Sequence, residues 1–105
     1  MAESGEFTIF ELMEIEVARP PYAEIGERLK RVKRLMGFRK DKEFCDHFGL
    51  QPSRVSNWFK GTSRPPQDMA QRICEEAGLT LDYIYRGNMD GLSIERIREL
   101  NKIAA

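Results

Sequence analysis

Ser53, Arg54, Ser56, Asn57 and Lys60 fall within one stretch, Gln51-Pro52-Ser-Arg-Val-Ser-Asn-Trp-Phe-Lys60. Short hydroxyls, a planar carboxamide, a guanidinium and an ammonium suit the edges of base pairs and the oxygens of phosphate; they are not the makings of covalent chemistry. Helical spacing sorts them. With Val55 at zero and about 100° per residue, Trp58 and Phe59 lie within roughly 60° of it, while Ser53, Asn57 and Lys60 lie about 140–200° away. The stretch therefore predicts a helix with one apolar, aromatic side and one polar side, Arg54 and Ser56 flanking the latter. Asn57 can pair in bidentate fashion with adenine N6 and N7, Arg54 with guanine or a phosphate, and Ser53 and Ser56 with either kind of group. Gln51 and Lys60 at the two ends of the helix, then Thr62, Ser63 and Arg64, offer contacts to a phosphate backbone. Lys40 and Lys42 offer the same from upstream. A solvated face of an ordinary amphipathic helix would show this pattern too, so the surrounding elements decide.

Those elements are predicted to be helices. In residues 22–36, Ile25, Leu29, Val32 and Met36 recur at helical spacing, and Arg28, Lys30, Arg31, Lys33 and Arg34 fill the charged face between them. Pro20-Pro21 stop anything arriving from upstream, and Gly37 suits the helix end. A short helix over 41–48 places Phe44, Cys45 and Phe48 inward and ends at Gly49, where a left-handed backbone costs least. The next starts at once, because Pro52 is tolerated in a first turn whose N–H has no intrahelical partner. Gly61, Pro65 and Pro66 close it. Residues 66–77 predict a fourth helix burying Met69, Ile73 and Cys74, and 81–85 a short fifth. No strand-like alternation interrupts 22–88.

The ends divide off as 1–21, an N-terminal arm, and 89–105, a C-terminal amphipathic helix. Residues 6–18 favour a helix through a capping box from Thr8 to Glu11, yet Ile15-Glu16-Val17 would also suit a strand. Residues 93–103 form a narrow stripe of Ile94, Ile97, Leu100 and Ile103 behind the cap Ser93. So short a helix folds back on the domain or pairs with a partner chain. Phe10, Ile94, Ile97 and Leu100 are the candidate dimerisation residues.

Net charge is zero over 105 residues, but its distribution is not even. Residues 1–21 hold five glutamates against one arginine (net −4), 22–64 eleven Lys/Arg against five Asp/Glu (+6), and 65–105 five against seven (−2). The central block is the electrostatic footprint of a polyanion binder.

With the helices in place, residues 22–87 resemble the Cro/lambda-repressor-like, or XRE-type, helix-turn-helix family. The resemblance rests on Phe44-Cys45, the turn Gly49-Leu50, Val55 at the centre of the next helix, Gly61, Pro65, and the later run Gly78-Leu-Thr-Leu-Asp82-Tyr83-Ile-Tyr-Arg-Gly87. It implies an all-α, five-helix domain whose third helix enters the major groove of double-stranded DNA, working as a homodimer on two half-sites. Its base contacts would fall at Pro52, Ser53 and Asn57, with Arg54 and Ser56 close by, and its phosphate contacts near Asp41, Lys60 and Thr62. Pro52 and Asp41 depart from the pattern: the first can offer only apolar contact, and the second leaves phosphate to Lys40 or Lys42. The Trp58-Phe59 pair echoes homeodomains, but the position where those carry their adenine-reading asparagine is here Gly61.

The function expected is a transcriptional regulator of bacterial or prophage type, a repressor by operator occupancy. The alternatives are an antitoxin-like regulator that also binds a toxin, or a protein-interaction module on the same fold. No catalytic constellation, metal-ligand spacing, cofactor motif, small-molecule site or membrane span is expected. His47 stands alone, and Cys45 and Cys74 read as buried, reduced thiols of a cytoplasmic protein.

Overall fold

The computed structural model describes residues 20–103. Six helices follow one another: α1 Ala23–Leu35, α2 Asp41–Phe48, α3 Pro52–Lys60, α4 Gln67–Ala77, α5 Leu81–Arg86 and α6 Ile94–Lys102. The described residues hold no strand, so the architecture is all-α as expected, with every helix end within one residue of its expected position. The arm over 6–18, and Phe10 with it, lie outside the described residues.

α1 is the hub, packing against α3, α5 and α6. Its stripe of Ile25, Leu29 and Val32 is buried, and the facing side chains are Val55, Trp58 and Phe59 of α3, with Ile84 of α5 and Leu100 of α6 closing the same core. Trp58 is only 1 % exposed, so the indole is a wedge between helices rather than a surface group. α2 joins through a cluster of rings: Phe44 lies 5.0 Å from Phe48, 5.7 Å from Phe59 and 6.1 Å from Phe38, measured between centroids.

Much of α1's charged face is occupied inside the fold. The Arg28 guanidinium donates from Nε to the Ile84 carbonyl at 2.9 Å and from Nη2 to that of Tyr85 at 3.2 Å, satisfying acceptors at the C-terminal end of α5. Lys33 binds Asp41 at 2.8 Å, joining α1 to the start of α2. The +6 of the central block therefore overstates the cations available to a partner. Thr80 and Ser93 cap α5 and α6 by accepting from the Tyr83 and Arg96 N–H groups. His47 is exposed but engaged, 2.6 Å from Glu76 of α4.

Candidate nucleic-acid interface

α2 and α3 are joined by a turn of three residues. Gly49 takes the left-handed conformation (φ 66°), and the Leu50 N–H returns to the Cys45 carbonyl at 2.9 Å. Gln51 is extended, and its carbonyl accepts from Arg54 and Val55 at 3.1 and 3.2 Å, so α3 begins immediately with Pro52 in its first turn. Three supports then fix α3. The Phe44 ring holds Phe59 from the α2 side. On the α1 side, Gly26 lets the two backbones meet: a Cβ built there would lie 2.6 Å from the Phe59 carbonyl oxygen. At the far end Gly61 (φ 84°) closes the helix, and its carbonyl accepts the Tyr22 N–H at 2.9 Å.

The loop beyond α3 is tied as firmly. The Asn57 carbonyl accepts from the Thr62 N–H at 3.0 Å and from Thr62 Oγ1 at 3.2 Å. The Tyr85 hydroxyl of α5 donates to the Pro65 carbonyl at 2.8 Å. The Arg64 guanidinium lies over the Tyr22 ring, 5.7 Å from its centroid.

Held in this way, α3 buries Val55, Trp58 and Phe59 and exposes Gln51, Pro52, Ser53, Arg54, Asn57 and Lys60 to solvent; Ser56 is half-buried at the border. Thr62 and Arg64 are exposed beyond it and Ser63 is half-buried, while Lys40 and Lys42 are exposed at the end of α2 remote from the turn. Arg54 is steadied by its own helix, its guanidinium 5.5 Å from the Trp58 ring centroid. Ser53, Arg54, Asn57 and Lys60 thus share the outer side of one rigid helix.

The electrostatics favour an anion at α3. Every other described helix carries an acidic residue in its first turn: Glu24 in α1, Asp41 and Glu43 in α2, Asp68 in α4, Asp82 in α5 and Glu95 in α6. α3 has none, so no carboxylate of its own first turn offsets the positive end of its dipole. At α2 the corresponding place is taken by Glu43, whose carboxylate accepts from the Arg39 and Lys40 N–H groups at 3.0 and 2.9 Å. Those two bonds hold the Glu43 carboxyl below its usual range, so it stays charged and keeps the α2 end filled. Asp41 is likewise occupied, by Lys33. Any phosphate contact at α2 falls to the ammonium groups of Lys40 and Lys42.

Several supports carried no signal in the sequence: Gly26, Arg28 on α5, Lys33 with Asp41, and Tyr85 with Pro65 each join residues whose partnership only the packing reveals. The candidate dimerisation stripe is divided. Leu100 is fully buried in the chain's own core, Ile97 is half-buried, and Ile94 is 69 % exposed. Among the described residues no group of His, Cys, Asp and Glu is placed to hold a metal ion, and no helix is long and apolar enough to cross a membrane.

The chain matches the family model of the bacteriophage CI repressor helix-turn-helix domain over residues 27–91, a span that starts within α1 and runs past α5. No curated protein and no solved structure matches it.

Proposed function

This chain belongs to the bacteriophage CI repressor helix-turn-helix domain family, a family of DNA-binding transcriptional regulators, and we propose that it represses transcription by occupying an operator with α3 in the major groove. The observation that carries this is the division of α3: three buried anchors on one side, and Ser53, Arg54 and Asn57 presented together on the other. In this reading Asn57 and Arg54 read base edges, with Ser53 and Ser56 beside them. Gln51, Lys60, Thr62, Ser63 and Arg64 hold the phosphate backbone next to the groove, and Lys40 and Lys42 hold it from α2. Repression follows from occupancy alone, with no catalytic step.

One α3 reads only a few base pairs, so we propose a homodimer spanning two half-sites. Ile94 supports this: it is the large apolar side chain most exposed among the described residues. Residues 22–88 carry the DNA-binding helices in this scheme, 1–21 are the arm before them, and 89–105 supply α6, which packs on α1 and puts Leu100 into their core.

Selection of bound duplexes from a random pool tests the proposal. The expected result is a consensus of two inverted half-sites about one helical turn apart. A pool that yields no sequence preference at low salt would overturn it.

A further inference from the structure

We propose that the cleft between the start of α1, the loop after α3 and α5 is the docking surface for the chain's own acidic N-terminal segment, residues 1–19, which shields the α3 end of the DNA face until DNA displaces it. The proposal rests on the DNA-binding reading above. It starts from a cleft of about 590 Å³ lined by Pro20, Tyr22, Glu24, Arg28, Arg64 and Tyr85, among others. Pro20 lines the cleft and is also the first described residue, so the described chain begins at the cleft itself.

That entry point is joined to α3. The Tyr22 N–H is bonded to the Gly61 carbonyl at 2.9 Å, and Arg64 lies over the Tyr22 ring. The start of the described chain is therefore tied to the loop that follows Lys60 and carries Thr62 and Arg64, the groups assigned to phosphate. The charge of the N-terminal segment is opposite to theirs: Glu3, Glu6, Glu11, Glu14 and Glu16 against Arg19 alone. Of the cleft's own charges, Glu24 repels it, Arg28 is held by the Ile84 and Tyr85 carbonyls, and exposed Arg64 is the cation presented at the rim.

Reach is sufficient. An extended chain covers about 3.3 Å per residue, so the nine residues from Glu11 to Arg19 span up to roughly 30 Å, about twice the ~13 Å length of α3. A tether this short holds carboxylates at an effective concentration in the millimolar range, enough for a weak contact to compete. Phosphates spaced at one charge per ~1.7 Å displace it. Because the same contact is surrendered to every duplex, the segment lowers affinity for cognate and random DNA by one common factor.

The test compares the full chain with its E3Q/E6Q/E11Q/E14Q/E16Q variant. At low salt the variant should bind cognate and random duplexes about tenfold more tightly, with a steeper dependence on salt, and the difference should vanish at high salt. Without DNA, the amide resonances of Gly61, Thr62 and Arg64 should differ between the two proteins at low salt, independently of protein concentration. Equal affinities at low salt would overturn the proposal. So would tighter binding with unchanged amides, which assigns the effect to net charge alone, and so would amide shifts that grow with concentration, which assign the contact to a second copy. Loss of sequence preference in both proteins would instead strike the DNA-reading assignment.

Discussion

The Cα of Gly26 lies against the carbonyl oxygen of Phe59, so closely that a Cβ there would sit 2.6 Å from it and 2.7 Å from the carbonyl oxygen of Trp58. Both obstacles are backbone, and neither can swing aside as a side chain would. This contact sets how far α3 stands out from α1, and hence how far its polar face is presented. Gly26→Ala gains up to about 1 kcal/mol of helix propensity, but forcing α1 from α3 costs roughly 1–3 kcal/mol. Net destabilisation is expected in urea unfolding, a reversal of the usual benefit of replacing a helical glycine.

Arg28 is expected to contribute to stability rather than to DNA affinity. Arg28→Ala removes two charge-assisted hydrogen bonds to α5 carbonyls and should cost about 1–2 kcal/mol. Arg28→Lys should recover little of it, since one ammonium does not reproduce the planar fork that meets the Ile84 and Tyr85 carbonyls together. Thermal unfolding of the two variants measures this.

The Tyr85 hydroxyl tests whether the loop after α3 must be held. Tyr85→Phe keeps the ring and loses only the bond to the Pro65 carbonyl, at about 0.5–1.5 kcal/mol of stability. With Thr62–Arg64 less fixed, binding to all duplexes should weaken by a similar factor. A loss confined to the cognate site would instead connect this loop to base recognition.

The helices and the polar face of α3 were legible because both are local. Ile25, Leu29 and Val32 repeat at helical spacing, Gly49 and Gly61 end their helices by backbone chemistry, and the separation of Val55, Trp58 and Phe59 from Ser53 and Asn57 is arithmetic on ten residues. The supports were not legible because they are distant. Arg28 is separated from Ile84 by 56 positions and looked like one more cation of a basic face. Charge counting failed there for a physical reason: a guanidinium can serve a helix end inside the fold as readily as a phosphate outside it. The stripe of α6 was read correctly as apolar, but only packing could show that Leu100 is spent on the chain's own core and Ile94 is not.

The buried cysteines give a pH dependence. Burial pushes the Cys74 thiol from its ordinary 9.0 up to about 11, and raises that of Cys45 as well, with Asp41 and Asp46 adding to the effect. The folded chain therefore holds these protons more tightly than the unfolded chain. The Cys74 contribution to stability is full below about pH 9 and declines as the pH rises towards 11, and that of Cys45 declines in the same direction. Burial also raises Tyr83 and Tyr85, so the informative quantity is a difference: Cys74→Ala should lose stability less steeply across that window than the parent. Neither thiol should react with a disulfide reagent near neutral pH until the chain unfolds.

The central claim is that the outer side of α3 reads sequence, and the affinity ratio between the selected operator and a random duplex measures it for Asn57→Ala beside Lys60→Ala. Asn57→Ala should lose roughly 1–3 kcal/mol on the operator, relax one base position and leave random DNA nearly unaffected, so its ratio collapses. Lys60→Ala should weaken both duplexes alike, flatten the salt dependence by about one charge and keep its ratio. An Asn57→Ala protein that loses equally on operator and random DNA would contradict the account.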